Sequence, residues 1–177
     1  QGCPEEVEFF GTDQEVDIRD ARAVSSSLDA HRPDVVINAA AYTDVDGCED
    51  HEEEAMSVNG VGAGVIAEAC AKAEIPILQV STDYVFDGFI TTPGEYGPED
   101  QVSPLSAYGR TKLEGERRVA KANPAHWIVR TQWLYGCHGK NFVETMLSLA
   151  ESNEEVSVVD DQEGSPTLTH DLAMTLW

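Results

Sequence analysis

The stretch Pro76-Ile77-Leu78-Gln79-Val80-Ser81-Thr82-Asp83-Tyr84 decides the fold. Proline stops the helical pattern that precedes it, because its ring clashes with the preceding turn and it has no N–H to donate. Ile77-Leu78-Gln79-Val80 then reads as a strand, and Ser81-Thr82-Asp83-Tyr84 follows it as a polar end. Upstream, residues 55–72 have helical spacing, with Val58, Val65, Ile66, Ala69 and Cys70 available for one buried face. Further back, a helix over 21–30 leads through Pro33 to Val35-Val36-Ile37, a buried strand ending at Asn38. Residues 7–10 read as a short strand. Downstream come a helix over 106–121, the strand Trp127-Ile128-Val129, a helix over 142–150 and the strand Val156-Ser157-Val158-Val159. Strands alternating with helices, several of them apolar throughout, predict an α/β protein with a doubly wound parallel sheet. In such sheets ligands gather at the C-terminal ends of the strands. That rule selects Ala39-Ala40-Ala41-Tyr42-Thr43, Ser81-Thr82-Asp83-Tyr84 and Thr131-Gln132-Trp133 as the rim of a site.

Beside that rim lies Tyr108-Gly109-Arg110-Thr111-Lys112, which puts a phenol and an amine on one helix face. A free tyrosine titrates near pH 10. An ammonium nearby favours the phenolate and is expected to move that value toward neutrality. Such a phenol can donate a proton to a carbonyl oxygen or take one from an alcohol. On its own the Tyr-x-x-x-Lys spacing also fits an ordinary surface helix. Between the Thr82 strand end and this helix, residues 87–104 form a loop rich in proline and glycine (Pro93, Pro98, Pro104, Gly88, Gly94, Gly97). Long loops in compact domains tend to be functional, and this one is placed to cover a substrate. The acidic run over 49–54 reads as a solvated helix start.

The 177 residues suit one domain, and 41% are apolar, as in a globular protein. No stretch approaches the roughly 18 apolar residues of a membrane-spanning helix. The net charge of −22, from 33 acids against 11 bases, repels a phosphate backbone and argues against nucleic acid as a partner. Adaptation to high salt and an ordinary acidic protein are both consistent with it. Cys3, Cys48, Cys70 and Cys137 are widely separated and form no C-x-x-C pair, which favours reduced thiols and a cytoplasmic location. His31, His51, His126, His138 and His170 make no H-x-x-x-H pair, so no structural metal is expected.

Taken as a set, the strand ends and the tyrosine helix resemble the extended short-chain dehydrogenase/reductase family, most closely its dTDP-4-dehydrorhamnose reductases. The matching runs are Asp34-Val35-Val36-Ile37-Asn38-Ala39-Ala40-Ala41-Tyr42-Thr43 and Ser81-Thr82-Asp83-Tyr84-Val85-Phe86-Asp87-Gly88. They continue with Pro104-Leu105-Ser106-Ala107-Tyr108-Gly109-Arg110-Thr111-Lys112-Leu113-Glu114-Gly115-Glu116, Arg130-Thr131-Gln132-Trp133-Leu134-Tyr135-Gly136 and Asp160-Asp161-Gln162-Glu163-Gly164-Ser165-Pro166-Thr167. The resemblance implies a Rossmann-like sheet and reduction, by NADPH or NADH, of the C4 keto group of a nucleotide sugar. It makes Tyr108 the proton donor, with Lys112 tuning it and holding the nicotinamide ribose. Thr82 would bond the same carbonyl, and Asp83 and Trp133 would contact the sugar. Ala41, Tyr42 and Thr43 would lie along the dinucleotide, and Asp17 and Ile18 near its adenine. Asn59 matches a family asparagine and reads as structural. A homodimer of the full-length protein is the expected assembly.

The family opens with a strand and a G-x-x-G-x-x-G turn whose amides bind pyrophosphate, and nothing like it precedes Val7. Gly60-Val61-Gly62-Ala63-Gly64 does not substitute, since it follows acidic helix rather than a strand. The chain is therefore expected to be the middle of a longer protein, residues 1–177 forming a partial dinucleotide-binding domain with a substrate-binding region beginning near 160–177. Two other readings compete. A nucleotide-sugar dehydratase or epimerase keeps the family, but Tyr84 stands where dehydratases follow Thr-Asp with a glutamate. A non-catalytic regulatory subunit like the methionine adenosyltransferase beta subunit shares the fold, although Trp133 and residues 162–167 look more like the reductases.

Overall fold

The computed structural model describes residues 3–90 and 94–177. The chain divides into two units, Phe10–Arg130 and a second built from residues 1–9 and 131–177. The first holds the elements around Tyr108.

In that unit α1 (Ala21–His31) begins where the Asp20 carboxylate accepts the Arg22 N–H at 2.8 Å. Strand β1 (Val36–Asn38) is followed by α2 (Val45–Asp50), α3 (Glu52–Ala55), a π-helical turn (Met56–Gly62) and α4 (Ala63–Lys72). Then come β2 (Ile77–Thr82), a 3₁₀ turn (Asp83–Val85), α5 (Ala107–Ala122) and β3 (His126–Thr131). The sheet runs β1-β2-β3, with β1 and β2 parallel and Asn38 opposite Gln79. Its core joins Val24 of α1 to Ala63, Ile66, Ala67, Ala69 and Cys70 of α4, Ile77 of β2 and Val119 of α5. The small residues of α4 let the neighbouring elements approach closely, and removing this apolar surface from water is the main stabilising term. Buried amides pair across the sheet: Asn38 Nδ2 donates to Gln79 Oε1 at 2.7 Å, and Gln79 Nε2 to the Val80 carbonyl at 2.8 Å.

The second unit contains β4 (Leu134–Tyr135), α6 (Phe142–Ser152), β5 (Thr167–Leu168) and α7 (Thr169–Leu176), with β4 and β5 parallel. The Phe9 ring meets Trp177 edge-on at 5.7 Å. None of its described residues is buried.

The parallel α/β architecture is the expected one. Several details differ. Residues 7–10 and 156–159 are not strands. Val156, Val158 and Val159 are exposed, and a β-prone run without a neighbouring ladder has nothing to pair its backbone with. The helix expected over 55–72 is broken by its π-helical turn. The acidic run is split: Glu49 and Asp50 end α2, whereas Glu52, Glu53 and Glu54 fill the first turn of α3. It is also not simply solvated, because Glu49 and Glu52 hold α5. Strands β4 and β5 and helix α7 were not anticipated. Pro93 of the long loop lies outside the described residues.

Candidate active site

Helix α5 is pinned at its start. The Ser106 hydroxyl accepts the Gly109 N–H at 3.1 Å, a serine N-cap. Glu49 Oε1 accepts the Ala107 N–H at 2.7 Å, placing a carboxylate at the positive end of the helix. Arg110 donates from Nε and Nη2 to the two oxygens of Glu52 at 2.9 and 2.8 Å. Gly109 packs where any Cβ would collide with the Tyr84 carbonyl. One turn of helix is thereby fixed against α2, α3 and the end of β2, and Tyr108 is carried on that turn.

The Thr82 hydroxyl acts on the Tyr108 phenol, favouring its charged form. Thr82 is buried at the end of β2, where its Oγ1 donates to Asp83 Oδ1 at 3.1 Å and accepts the Tyr84 N–H at 3.2 Å. The Tyr84 ring closes on Tyr108 edge-on, with centroids 5.6 Å apart. Lys112 is buried one turn along, and its ammonium donates to the Val80 carbonyl at 2.8 Å. Three of the expected residues are thus brought to one strand end.

Their electrostatics differ from the expectation. Burial pushes the Tyr108 phenol up to about 12, the Thr82 hydroxyl opposing it only in part. Burial also brings Lys112 down to about 8, with the Glu116 carboxylate working the other way. Desolvation disfavours the charged form of each group, so in this chain the phenol is protonated at neutral pH rather than tuned toward phenolate. A protonated phenol is the form that donates to a carbonyl. Burial likewise raises Asp83, against its hydrogen bond from Thr82.

The end of β1 reaches the same helix through Asn59. Its Oδ1 accepts the Tyr42 N–H at 2.8 Å, and its Nδ2 donates to the Tyr42 carbonyl and to Thr111 Oγ1, both at 3.1 Å. Tyr42 and Tyr108 pack on one cluster of Cys48, Ala55 and Ala107. Ala41 is half-buried and Thr43 exposed. Asp17 and Ile18 are held elsewhere: Asp17 takes a two-point contact from Arg19 at 2.8 Å, which holds its carboxyl at about 2, while Ile18 fills the space against Gly62. In the second unit Trp133 is exposed, has a left-handed backbone (φ 45) and lies against Gly164. Thr131 Oγ1 is buried with no hydrogen-bond partner among the described residues.

Sequence reading placed Ser81 on the rim of the site but gave no role to Glu116 or Arg130. Ser81 Oγ donates to Glu116 Oε1 at 2.6 Å, and Arg130 grips both oxygens of Glu116 at 2.9 and 2.7 Å. The available signal was position, since Glu116 continues the Tyr108–Lys112 face by one more turn. Among the described residues no group of three or more His, Cys, Asp or Glu side chains converges to hold a metal ion, and no helix is long and apolar enough to cross a membrane.

A parallel α/β sheet whose strand end presents a threonine to a tyrosine, with a lysine one helical turn further, defines the extended short-chain dehydrogenase/reductase class. Comparison with known proteins is specific within it. The chain belongs to the family described as the RmlD substrate binding domain, which matches residues 1–177. It is 48% identical over 153 residues to a dTDP-4-dehydrorhamnose reductase of Sinorhizobium fredii, covering 86% of this chain and 51% of that protein. A Mycobacterium tuberculosis H37Rv protein of the same name is 46% identical over 168 residues, covering 93% and 55%. Among solved structures, a dTDP-4-dehydrorhamnose reductase of Clostridium acetobutylicum superposes with a TM-score of 0.92 at 46% identity, covering 97% of this chain and 61% of that one. The Bacillus anthracis enzyme in complex with NADP gives 0.94 at 38% identity, covering 98% and 62%. The chain spans about half the length of the curated relatives it matches.

Proposed function

We propose that the whole protein is an NAD(P)H-dependent oxidoreductase that reduces the C4 keto group of dTDP-4-dehydro-L-rhamnose to give dTDP-L-rhamnose. The observation that carries this reading is the gathering of Tyr108, Lys112 and Thr82 at the end of β2, where Thr82 and Lys112 are buried, Lys112 bonds the Val80 carbonyl at 2.8 Å and the Tyr108 ring meets Tyr84 at 5.6 Å. The names of the relatives supply the substrate.

The residues present fit a dinucleotide. Lys112 uses one of its three N–H bonds on Val80, which leaves donors for ribose hydroxyls. Ala41, Tyr42 and Thr43 would lie along the dinucleotide at the end of β1, with Asp17 and Ile18 toward the adenine. A bound NADPH or NADH supplies the hydride that C4 accepts. Thr82 turns its single O–H from Asp83 Oδ1 to the C4 oxygen and draws charge onto it. Tyr108 gives that oxygen its proton, and the resulting phenolate is stabilised by the Lys112 ammonium until solvent returns the proton. Asp83 and Trp133 hold the sugar, and the substrate-binding region begins near residues 160–177. The whole protein acts in the cytoplasm, which the free state of all four cysteines supports. It acts as a homodimer on the strength of the resemblance, and light scattering tests that.

The deciding assay follows NADPH or NADH absorbance in the presence of the 4-keto sugar. Consumption of reduced dinucleotide with formation of dTDP-L-rhamnose is expected. A purified, folded protein that leaves the sugar unreduced with either dinucleotide would sink the proposal.

A further inference from the structure

We infer that Glu116 is a positioning residue for this reaction: by joining Ser81 to Arg130, its carboxylate fixes the end of β2 against α5 and so sets Thr82 opposite Tyr108. The inference rests on the reductase reading for its kinetic consequences, and on geometry alone for its structural ones.

Glu116 is 4% exposed and lies two turns after Tyr108 on the same helix face. Its Oε1 accepts from Ser81 Oγ at 2.6 Å and from Arg130 Nε at 2.9 Å, and its Oε2 accepts from Arg130 Nη2 at 2.7 Å. Ser81 precedes Thr82, so a rotation at Ser81 carries the Thr82 hydroxyl with it. Arg130 extends the contact: its Nη1 donates to the Pro98 carbonyl at 3.2 Å, and its guanidinium lies 5.1 Å from the centre of the Phe86 ring. Phe86 stacks on Tyr96 at 4.3 Å, and the Tyr96 hydroxyl donates to Asp87 at 2.7 Å. One carboxylate therefore fastens the Tyr108 helix, the Thr82 strand end and the loop that leaves it. Buried ion pairs of this kind are often replaceable by apolar groups without loss of stability. What they contribute is fixed geometry, because a two-point guanidinium–carboxylate contact allows little freedom of orientation. Glu116 is also the anionic group that opposes the effect of burial on Lys112.

The test uses the whole protein with Glu116→Gln, Arg130→Met and Ser81→Ala. Glu114→Gln serves as control, since it removes an exposed ion pair with Arg118 from the same helix. In Glu116→Gln and Arg130→Met, kcat is expected to fall about tenfold or more, while KM for dinucleotide and for sugar stays within about threefold. The loss should vanish when each change is made on a Tyr108→Phe background, because a residue acting through the phenol has nothing left to position. A second readout needs no substrate. In protein labelled at tyrosine Cζ, the Tyr108 resonance, identified by its absence in Tyr108→Phe, should move in all three variants and not in Glu114→Gln, while that of Tyr135 stays fixed. A loss of kcat that adds in full to that of Tyr108→Phe would show a merely structural role and overturn the inference. An unmoved Tyr108 resonance in the variants that fold would overturn it too. If the parent reduces no sugar, the reductase reading fails by itself and the resonances still decide the role of Glu116.

Discussion

At the scale of single residues, burial sets the chemistry of Tyr108 and Lys112 more than their spacing does. The spacing puts both on one face and singled out Tyr108 and Lys112 in the sequence, while the strand-end rule singled out Thr82. Their protonation was not legible, because desolvation depends on what covers a group and not on its neighbours in the chain. Tyr108→Phe in the whole protein keeps the ring and removes the proton, so turnover should fall about 10²–10⁴-fold with the circular dichroism spectrum unchanged. Turnover within a few-fold of the parent would refute the role of Tyr108. Lys112 gives a prediction about stability. Its folded value of about 8 lies below the ordinary lysine value, so between those two pH values the unfolded chain binds more protons and stability rises with pH. The favourable contribution is complete above the unfolded value and is lost as pH falls through about 8. Relative to Lys112→Met, the parent should therefore gain stability from pH 8 to pH 10 in urea titrations. A flat difference across that range would show that the ammonium is not desolvated.

At the scale of elements, α5 is the piece on which the site depends, and it is held by contacts from distant parts of the chain. Glu49 and Glu52, which read as a solvated acidic run, cap and pair with its first turn. Gly109 and Gly115 allow it to touch the backbone at Tyr84 and Asn59. The strands at 36–38, 77–82 and 126–131 were readable because each contains a short apolar run, Val36-Ile37, Ile77-Leu78 and Trp127-Ile128-Val129. Residues 156–159 misled for the complementary reason: alternating valines describe a strand only if another strand is alongside. The π-helical turn had no sequence signal, yet it carries Asn59, which ties the end of β1 to α5. Gly115→Ala tests this close packing. Its new methyl would meet the Asn59 carbonyl, which is fixed backbone, so a loss of about 1–3 kcal/mol is expected in urea unfolding. Alanine would otherwise stabilise a mid-helix position by about 1 kcal/mol. A more stable variant would mean that α5 and the π-helical turn are not in contact.

At the scale of the whole molecule, burial among the described residues is confined to residues 10–130. All of the buried core residues lie there, from Val24 to Val119. Helix α6, by contrast, exposes Phe142, Val143, Leu147 and Leu149 and has no buried residue. Its capping is sound, with Asn141 Oδ1 accepting the Glu144 N–H at 3.1 Å. Caps alone do not hold a helix of this length, since isolated helices under about 12–15 residues are marginal in water. Helix α5 has Thr111, Leu113, Gly115 and Val119 buried and is packed on β2, α4 and the π-helical turn. Local stability follows the amount of apolar contact, so the two helices should differ in how often they open. Hydrogen exchange on the 177-residue chain measures this directly. Amides of α6 are expected to exchange at least about tenfold faster than those of α5, and proteases to cut between residues 137 and 165 before they cut α5. Equal protection of the two helices would show that apolar burial is not what governs stability in this chain. Faster exchange in α5 would contradict the assignment of the core itself.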